Sequence, residues 1–306
     1  MKLWGARIIG AAVAASLLAA SPAAADVSAN GLRYVSVTDS IEDNSQEGTE
    51  AICPNKEPVI SGGVLADAGY EPRVEINTTR PYDDDGDEQL DDGWIAYVQN
   101  LNGGNPPSAS YTVFAICDKR AKESDYRYKA SATVPAPEGS QVGVAVNCPN
   151  DEPGVGGGVS SSGFLNDEMA LNTARPFDDG DQGTRMDDGW SVYVDNNNVG
   201  SPGQFMVGFV ICDRDRAPGK YLYNDQSTTI DDATQNTIPA QCGGDTDLVG
   251  GGLRSSGAYT QRMYAVSNYF SDNGGTLQPE TWQAGVNNVT GGGSFQSITS
   301  YAVCRK

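Results

Sequence analysis

The chain has 306 residues, 40 acidic against 20 basic side chains, a net charge of −20 and no histidine. This charge disfavours nucleic acid and anionic membranes as partners, and it favours cations, basic proteins or neutral polymers. The absence of histidine excludes Ser-His-Asp and Cys-His catalysis, histidine general bases and most catalytic zinc sites.

Residues 1–25 have the features of a secretory signal peptide. Lys2 and Arg7 supply positive charge, and a short apolar run follows them. A small-residue cleavage site, Ala23–Ala25, ends the segment. The apolar run is too short for a membrane anchor, and no later segment is long and apolar enough to span a bilayer. We therefore expect a secreted, extracellular protein, and the alanine-rich signal is typical of a bacterial one.

The rest of the chain consists of three tandem repeats of a module of about 90 residues, with boundaries near 34–125, 126–219 and 220–306. A glycine pair follows each first cysteine, and an aromatic residue precedes each second one. A tryptophan lies between them, followed at constant spacing by an asparagine. In module order, the landmarks are Gly62–Gly63, Trp94, Asn100 and Phe114; Gly157–Gly158, Trp190, Asn196 and Phe209; and Gly251–Gly252, Trp282, Asn288 and Tyr301.

Strands are predicted throughout each module. Each module opens with a short strand led by tyrosine, at Tyr34, Tyr126 and Tyr221. Short runs follow, often alternating and bounded by Gly, Pro, Asn or Asp, and none has a helical period. The glycine pair in the second core strand predicts a bulge or a close backbone approach. The fold class is therefore all-β, with three tandem disulfide-bridged antiparallel β-modules, each a small sandwich.

The repeat also predicts the disulfides, because an exported protein is expected to oxidise its cysteines. Equivalent modules require one bridge each, and there is neither a C-x-x-C motif nor a histidine for a zinc site. The predicted pairs are Cys53–Cys117, Cys148–Cys212 and Cys242–Cys304.

The tryptophans admit two interpretations. Trp190, Val192 and Val194 fall on one face of an alternating strand, which favours a place in the core. A sugar-stacking platform is the alternative. Tyr82 and the equivalent Phe177 are weaker candidates for contact with a ligand, at the rim of the loop described next.

An acidic loop precedes the tryptophan in the first two modules and suggests a calcium site. Carboxylates at the first, third and fifth positions of Asp83–Asp87 match the start of a calcium loop, but Glu88 replaces its turn glycine. A calcium loop of another kind and a solvated acidic surface both stay open. Module three keeps only Asp272 and Glu280. The candidate ligands are Asp83, Asp85, Asp87, Asp91 and Asp92 in module one, and Asp178, Asp179, Asp181, Asp187 and Asp188 in module two.

Two arginines, Arg80 and Arg175, stand just ahead of these loops. We expect each guanidinium to pair with a loop carboxylate and so to order the loop.

The pattern C-P…G-G-G-V…D-G-W…N…C resembles modules of uncharacterised exported actinobacterial proteins, a resemblance that covers all three modules and implies no activity. A weaker resemblance is to the three-fold β-prism of vitelline-membrane outer-layer proteins. It implies a pseudo-three-fold β-prism as the alternative fold.

No catalytic residue can be assigned from the sequence. We expect a non-catalytic protein that binds an extracellular polysaccharide or cell surface multivalently, with calcium as its candidate cofactor. A secreted glycosidase or lyase that uses carboxylates is one alternative. An inhibitor or accessory partner of a secreted enzyme is another.

Overall fold

A computed structural model describes the chain from residue 24 onward, apart from several loops. The described ranges are 24–67, 74–87, 89–101, 108–163, 169–179, 186–197, 203–257, 263–271, 279–289 and 295–306. The predicted signal peptide thus lies outside the described residues except for its last two. Within these ranges, no helix has the length and apolar character needed to cross a membrane.

The described residues form twenty strands. The first, β1 Ala24–Ala29, precedes module one and pairs with β2. Module one contains β2 Leu32–Glu42, β3 Ser45–Ile52, β4 Val59–Asp67, β5 Val74–Tyr82, β6 Gly93–Asn100 and β7 Ser108–Asp118. Module two contains β8 Tyr126–Ala130, β9 Val134–Ala136, β10 Ser140–Asn147, β11 Gly154–Ser161, β12 Met169–Phe177, β13 Gly189–Asn196 and β14 Gln204–Asp213. Module three contains β15 Tyr221–Ile230, β16 Thr234–Gln241, β17 Asp247–Ser255, β18 Met263–Ser271, β19 Thr281–Asn288 and β20 Gln296–Arg305.

The strands form three antiparallel sheets, and every sheet is shared by two modules. The strand orders are β1-β2-β7-β4-β18-β19-β16, β3-β6-β5-β11-β14-β8 and β10-β13-β12-β17-β20-β15. Each module therefore divides into two halves, and each half continues into a half of a neighbouring module. This cyclic sharing is the topology of the pseudo-three-fold β-prism. The all-β, disulfide-bridged class is confirmed, while the modules are joined more closely than separate sandwiches would be.

The glycine pairs allow the modules to meet. The first glycine of each pair packs under the tryptophan of its own module, so that a Cβ on Gly157 would overlap the Trp190 ring. The second abuts backbone of the preceding module, so that a Cβ on Gly158 would overlap the carbonyl oxygen of Thr79. A register shift precedes each pair. Both predicted features, a bulge and a close backbone approach, are confirmed.

Three tyrosine hydroxyls tie the modules into a ring. Tyr34 donates to the Leu248 carbonyl at 2.9 Å, so that module one binds module three. The equivalent bonds run from Tyr128 to Val59 at 2.8 Å and from Tyr223 to Gly154 at 3.0 Å. By strand register, Tyr128 and Tyr223 are the residues equivalent to Tyr34 in the other two modules. The sequence had instead suggested Tyr126 and Tyr221.

A second buried layer adds charge to this ring. Tyr126 donates to Asp118 at 2.9 Å, and Tyr221 donates to Asp213. In module three, Arg305 occupies the position that Asp118 and Asp213 hold in the other two modules. Its guanidinium pairs with the Asp118 carboxylate at 2.5 Å. Since Arg305 is 4% exposed, its guanidinium compensates a carboxylate that burial would otherwise disfavour.

The module cores hold the disulfides and tryptophans as predicted. All three predicted bridges form, and each joins the two halves of its module. Trp94, Trp190 and Trp282 have no exposed surface, which confirms that they are core residues.

Among the described residues, the arginines ahead of the acidic loops make no ion pair with the loop carboxylates. Arg80 donates to its neighbouring Pro81 carbonyl at 2.8 Å, and its guanidinium lies 5.5 Å from the ring centroid of Phe209. Arg175 lies over Tyr301 in the same way, at 5.8 Å. The predicted ion pairs are absent among the described residues, where each arginine instead packs against an aromatic ring across a sheet shared by two modules.

We predict that Tyr128→Phe destabilises the whole protein by about 1–3 kcal/mol, because the Val59 carbonyl loses its hydroxyl donor. Urea unfolding followed by tryptophan fluorescence measures the change. Tyr193→Phe is the control, since that ring is 40% exposed. Equal stabilities for the two variants would contradict the role assigned to the tyrosine ring.

Candidate functional site

The acidic loops are anchored by their backbones to the first cysteine of each module. In module one, Cys53 N–H donates to the Asp92 carbonyl at 2.7 Å and Val59 N–H to the Asp91 carbonyl at 2.8 Å. In module two, Cys148 N–H donates to the Asp188 carbonyl at 2.8 Å. The aspartate pair before the tryptophan therefore serves the fold through its main chain, which leaves the side chains available for other roles.

Some of the predicted carboxylates converge and could hold a metal ion. The clusters are Asp83, Asp85 and Asp92 in module one, and Asp178, Asp179 and Asp188 in module two, with carboxylate oxygens within 4.8 Å of one another in each. Asp92 also accepts the N–H groups of Asp84 and Asp85, at 2.7 and 3.0 Å. Asp188 accepts Asp179 N–H at 2.7 Å.

The other predicted ligands that the structure describes, Asp87, Asp91 and Asp187, do not belong to these clusters. Asp87 accepts the Gln89 N–H at 2.8 Å. Burial, followed by the carboxylates of Glu123 and Asp92, raises the pKa of Asp91 to about 7. Asp187 contributes its carbonyl to Gly154 N–H, and Asp181 lies outside the described residues.

The predicted rim residues, Tyr82 and Phe177, are hydrogen-bonded through their backbones to the acidic loops. The carbonyls of Tyr82 and Phe177 accept the N–H groups of Asp92 and Asp188, at 3.1 and 3.2 Å. Both side chains are half-buried. They flank the acidic loops and do not line the grooves described next.

Two equivalent grooves lie where modules meet, and each is built around an exposed tyrosine. Tyr97 is 38% exposed and Tyr193 is 40% exposed. Each ring lies against the glycine paired with it on the next strand, Gly48 or Gly143, where a Cβ would overlap the ring. The glycine holds the tyrosine as a fixed aromatic surface at the groove.

The groove between modules one and two, called the first groove, has a volume of about 210 Å³. Asn77 donates to the carbonyls of Gly163 and Met169, both at 3.1 Å, and Gln46 donates to Gly163 at 3.2 Å. Its lining is otherwise hydroxylic and uncharged. The lining residues are Gln46, Asn77, Thr78, Tyr97, Ser160, Ser161, Ser162 and Gly163.

The groove between modules two and three, called the second groove, has a volume of about 240 Å³. Gln141 and Asn172 donate to the Gly257 carbonyl at 2.9 and 3.1 Å, repeating the first network. Behind them, the buried carboxylate of Asp195 accepts both amides, at 2.9 and 3.2 Å. The lining residues are Gln141, Asn172, Thr173, Arg175, Tyr193, Arg254, Ser255, Ser256 and Gly257.

The seam between modules three and one has lost this constellation. Gly285 takes the place of the tyrosine, and Val266 takes that of the asparagine. Leu65 and Ala66 stand where module two has Ser160 and Ser161. Module three has therefore lost its tyrosine groove as well as most of its acidic loop.

Sequence reasoning missed these grooves, although a signal was present. Tyr97 and Tyr193 follow the core tryptophan by three residues, on the opposite face of the alternating strand, and thus outside the core. Gln46 and Gln141 precede the first cysteine at equal spacing. Only the sharing of sheets brings these residues beside the serines of the next module.

No protein-family model matches this chain, and no curated protein has significant sequence similarity to it. The functional argument therefore rests on the geometry of the grooves and the acidic clusters.

We predict that Asp195 makes stability pH-dependent. Burial raises its pKa from 3.8 to about 7, against the opposing hydrogen bonds from Gln141 and Asn172 and with a smaller contribution from Glu75. Between these two values the folded state binds more protons than the unfolded state, so the free energy of unfolding falls as pH rises.

Asp195→Asn should flatten this slope between about pH 4 and 7 relative to the parent protein, as measured by urea unfolding at a series of pH values. Asp151→Asn, at an exposed turn, is the control and should keep the parent slope. An unchanged slope in Asp195→Asn would contradict the prediction.

Proposed function

We propose that the protein is secreted and binds an extracellular polysaccharide, without catalysing its cleavage, through the two grooves. The observation that carries this proposal is the repeated tyrosine laid on a glycine at two seams. Large exposed aromatic side chains are few among the described residues, and two of them occupy equivalent grooves.

The chemistry of the grooves suits a sugar ring. An aromatic face packs against the apolar face of a sugar, while amides and hydroxyls offer donors and acceptors to its hydroxyl groups. Both grooves are small and combine one aromatic surface with several fixed polar groups, which is the usual composition of a specific ligand site. The hydrogen bonds to Gly163 and Gly257 fix these amides before a ligand arrives.

Two similar sites on one body favour a repetitive ligand. Binding at the first groove raises the effective concentration of the same polymer at the second, so the combined affinity exceeds that of either groove. The shared sheets hold the grooves in a fixed relation.

Calcium binding at the two acidic clusters forms the second part of the proposal. Calcium takes about six to eight oxygen ligands, so three carboxylates leave positions for backbone carbonyls, water or sugar hydroxyls. Convergent carboxylates repel one another, and a divalent cation would relieve this repulsion. The clusters occur in the same two modules that supply the groove tyrosines, which supports a shared role.

We predict that Tyr97→Ala and Tyr193→Ala each weaken polysaccharide binding by about tenfold, because each removes an aromatic contact of about 1–1.5 kcal/mol. Affinity electrophoresis against an array of soluble polysaccharides measures the change. The double variant should lose more than either single variant, since neither groove then keeps its aromatic surface.

Phe295→Ala is the matched control, because Phe295 is 74% exposed and lies outside the grooves. Tyr97→Phe should retain most of the affinity. Binding that survives both alanine variants would contradict the proposal. Release of reducing sugars would favour the enzyme alternative, and capture of one secreted enzyme would favour the inhibitor alternative.

We also predict that the full-length protein binds two calcium ions and melts at a higher temperature in calcium than in chelator. A ligand that binds the folded state alone stabilises it by about 2.7 kcal/mol at a hundred times its dissociation constant. Asp85→Asn and Asp178→Asn should each remove one ion, as counted by equilibrium dialysis.

The full chain must be used, because each sheet contains strands from two modules. Asp151→Asn changes the net charge equally and lies outside both clusters, so it should leave the stoichiometry at two. Equal calcium responses in all three variants would reduce the clusters to solvated acidic surface.

A further inference from the structure

The two grooves differ most at one position. Ser160 in the first groove corresponds to Arg254 in the second, since Ser160 follows Val159, which pairs with Thr79, and Arg254 follows Leu253, which pairs with the equivalent Ala174. Arg254 is exposed, lines the second groove and makes no ion pair among the described residues. Arg175 lines the same groove, whereas its counterpart Arg80 does not line the first.

The polar atoms left without partners also differ between the grooves. In the second groove, Ser255 Oγ and Arg175 Nε are buried and have no hydrogen-bond partner among the described residues, and Ser255 is only 5% exposed. Both can donate. In the first groove Ser161, the counterpart of Ser255, donates to the Asn77 carbonyl at 3.1 Å, and the unpaired atom is an acceptor, Gln46 Oε1. The second groove therefore presents donors that require an acceptor, whereas the first presents an acceptor that suits a sugar hydroxyl.

We propose that the second groove binds the anionic substituent of an acidic sugar residue, a carboxylate or a sulfate ester. Carboxylate and sulfate groups accept several hydrogen bonds and form strong charge-assisted bonds with guanidinium groups. Arg254 supplies the charge, Ser255 and Arg175 supply further donors, and Tyr193 supplies the surface for the sugar ring. This inference rests on the proposed polysaccharide binding and adds the ligand class of one groove.

The negative charge of the protein opposes this binding only at long range. Interactions between exposed charges are largely screened beyond about 8 Å at physiological ionic strength, whereas Arg254 acts by direct contact. The buried carboxylate behind the lining, Asp195, accepts hydrogen bonds from the amides of Gln141 and Asn172. Two guanidinium groups therefore dominate the charge that a ligand meets in the second groove.

The test uses the full-length protein in chelator, so that calcium cannot bridge the acidic loops to an anionic polymer. Binding is measured by titration calorimetry to polygalacturonate, dextran sulfate and neutral dextran. Arg254→Ser should weaken binding to at least one anionic polymer by about tenfold. The reverse change, Ser160→Arg, should strengthen binding to the same polymer, because it introduces the missing guanidinium into the first groove.

Lys119→Ser is the control for net charge, since Lys119 is exposed and lies in neither groove. An equal loss in Arg254→Ser and Lys119→Ser, or no loss in either, would overturn the inference. Weakening with polygalacturonate identifies a carboxylate site, and weakening with dextran sulfate alone identifies a sulfate site. If Tyr97→Ala weakens binding to a neutral polysaccharide while Arg254→Ser changes nothing, the proposed function stands and this inference fails.

Discussion

Close contact between glycine backbones and neighbouring carbonyls is the constraint on which the rest of this structure depends. The second glycine of each pair, Gly63, Gly158 or Gly252, leaves no room for a Cβ against the adjoining module. This contact brings the central strands of different modules within hydrogen-bonding distance, and so each sheet extends across a module boundary. The tyrosine hydroxyls then bond to carbonyls of the adjoining modules. Removing this proximity would leave separate halves with open strand edges.

The sharing of sheets between modules also determines where the candidate grooves form. Each groove takes its tyrosine and asparagine from one module and its serines from the next, so neither groove exists in an isolated module. The acidic clusters are different, because all their carboxylates belong to a single loop. The proposed polymer site therefore belongs to the assembled body, whereas each candidate metal site is local to one module.

The third module lacks the candidate groove and most of the acidic loop residues while keeping its structural role. It lacks the groove tyrosine, having Gly285 instead, and it retains little of the acidic loop. It nevertheless supplies Arg305, which balances Asp118 at a buried position where the other modules place aspartates. A third carboxylate there would add another buried negative charge without compensation. Closure of the ring thus favours a basic residue at this position in one of the three modules.

The sequence alone determined the repeat, the all-β class, the disulfide pairing and the core tryptophans, because spacing and alternation act within one module. Only the tertiary structure decided which strands share a sheet, since pairing between modules leaves no periodic signal along the chain. The tertiary structure also places Arg80 and Arg175 over aromatic rings of the next module. Among the described residues, it brings three carboxylates of each acidic loop together. Groove residues such as Tyr97 and Ser161 are distant in sequence and meet only where two modules adjoin. Their proximity depends on packing, which the order of residues within a module does not specify.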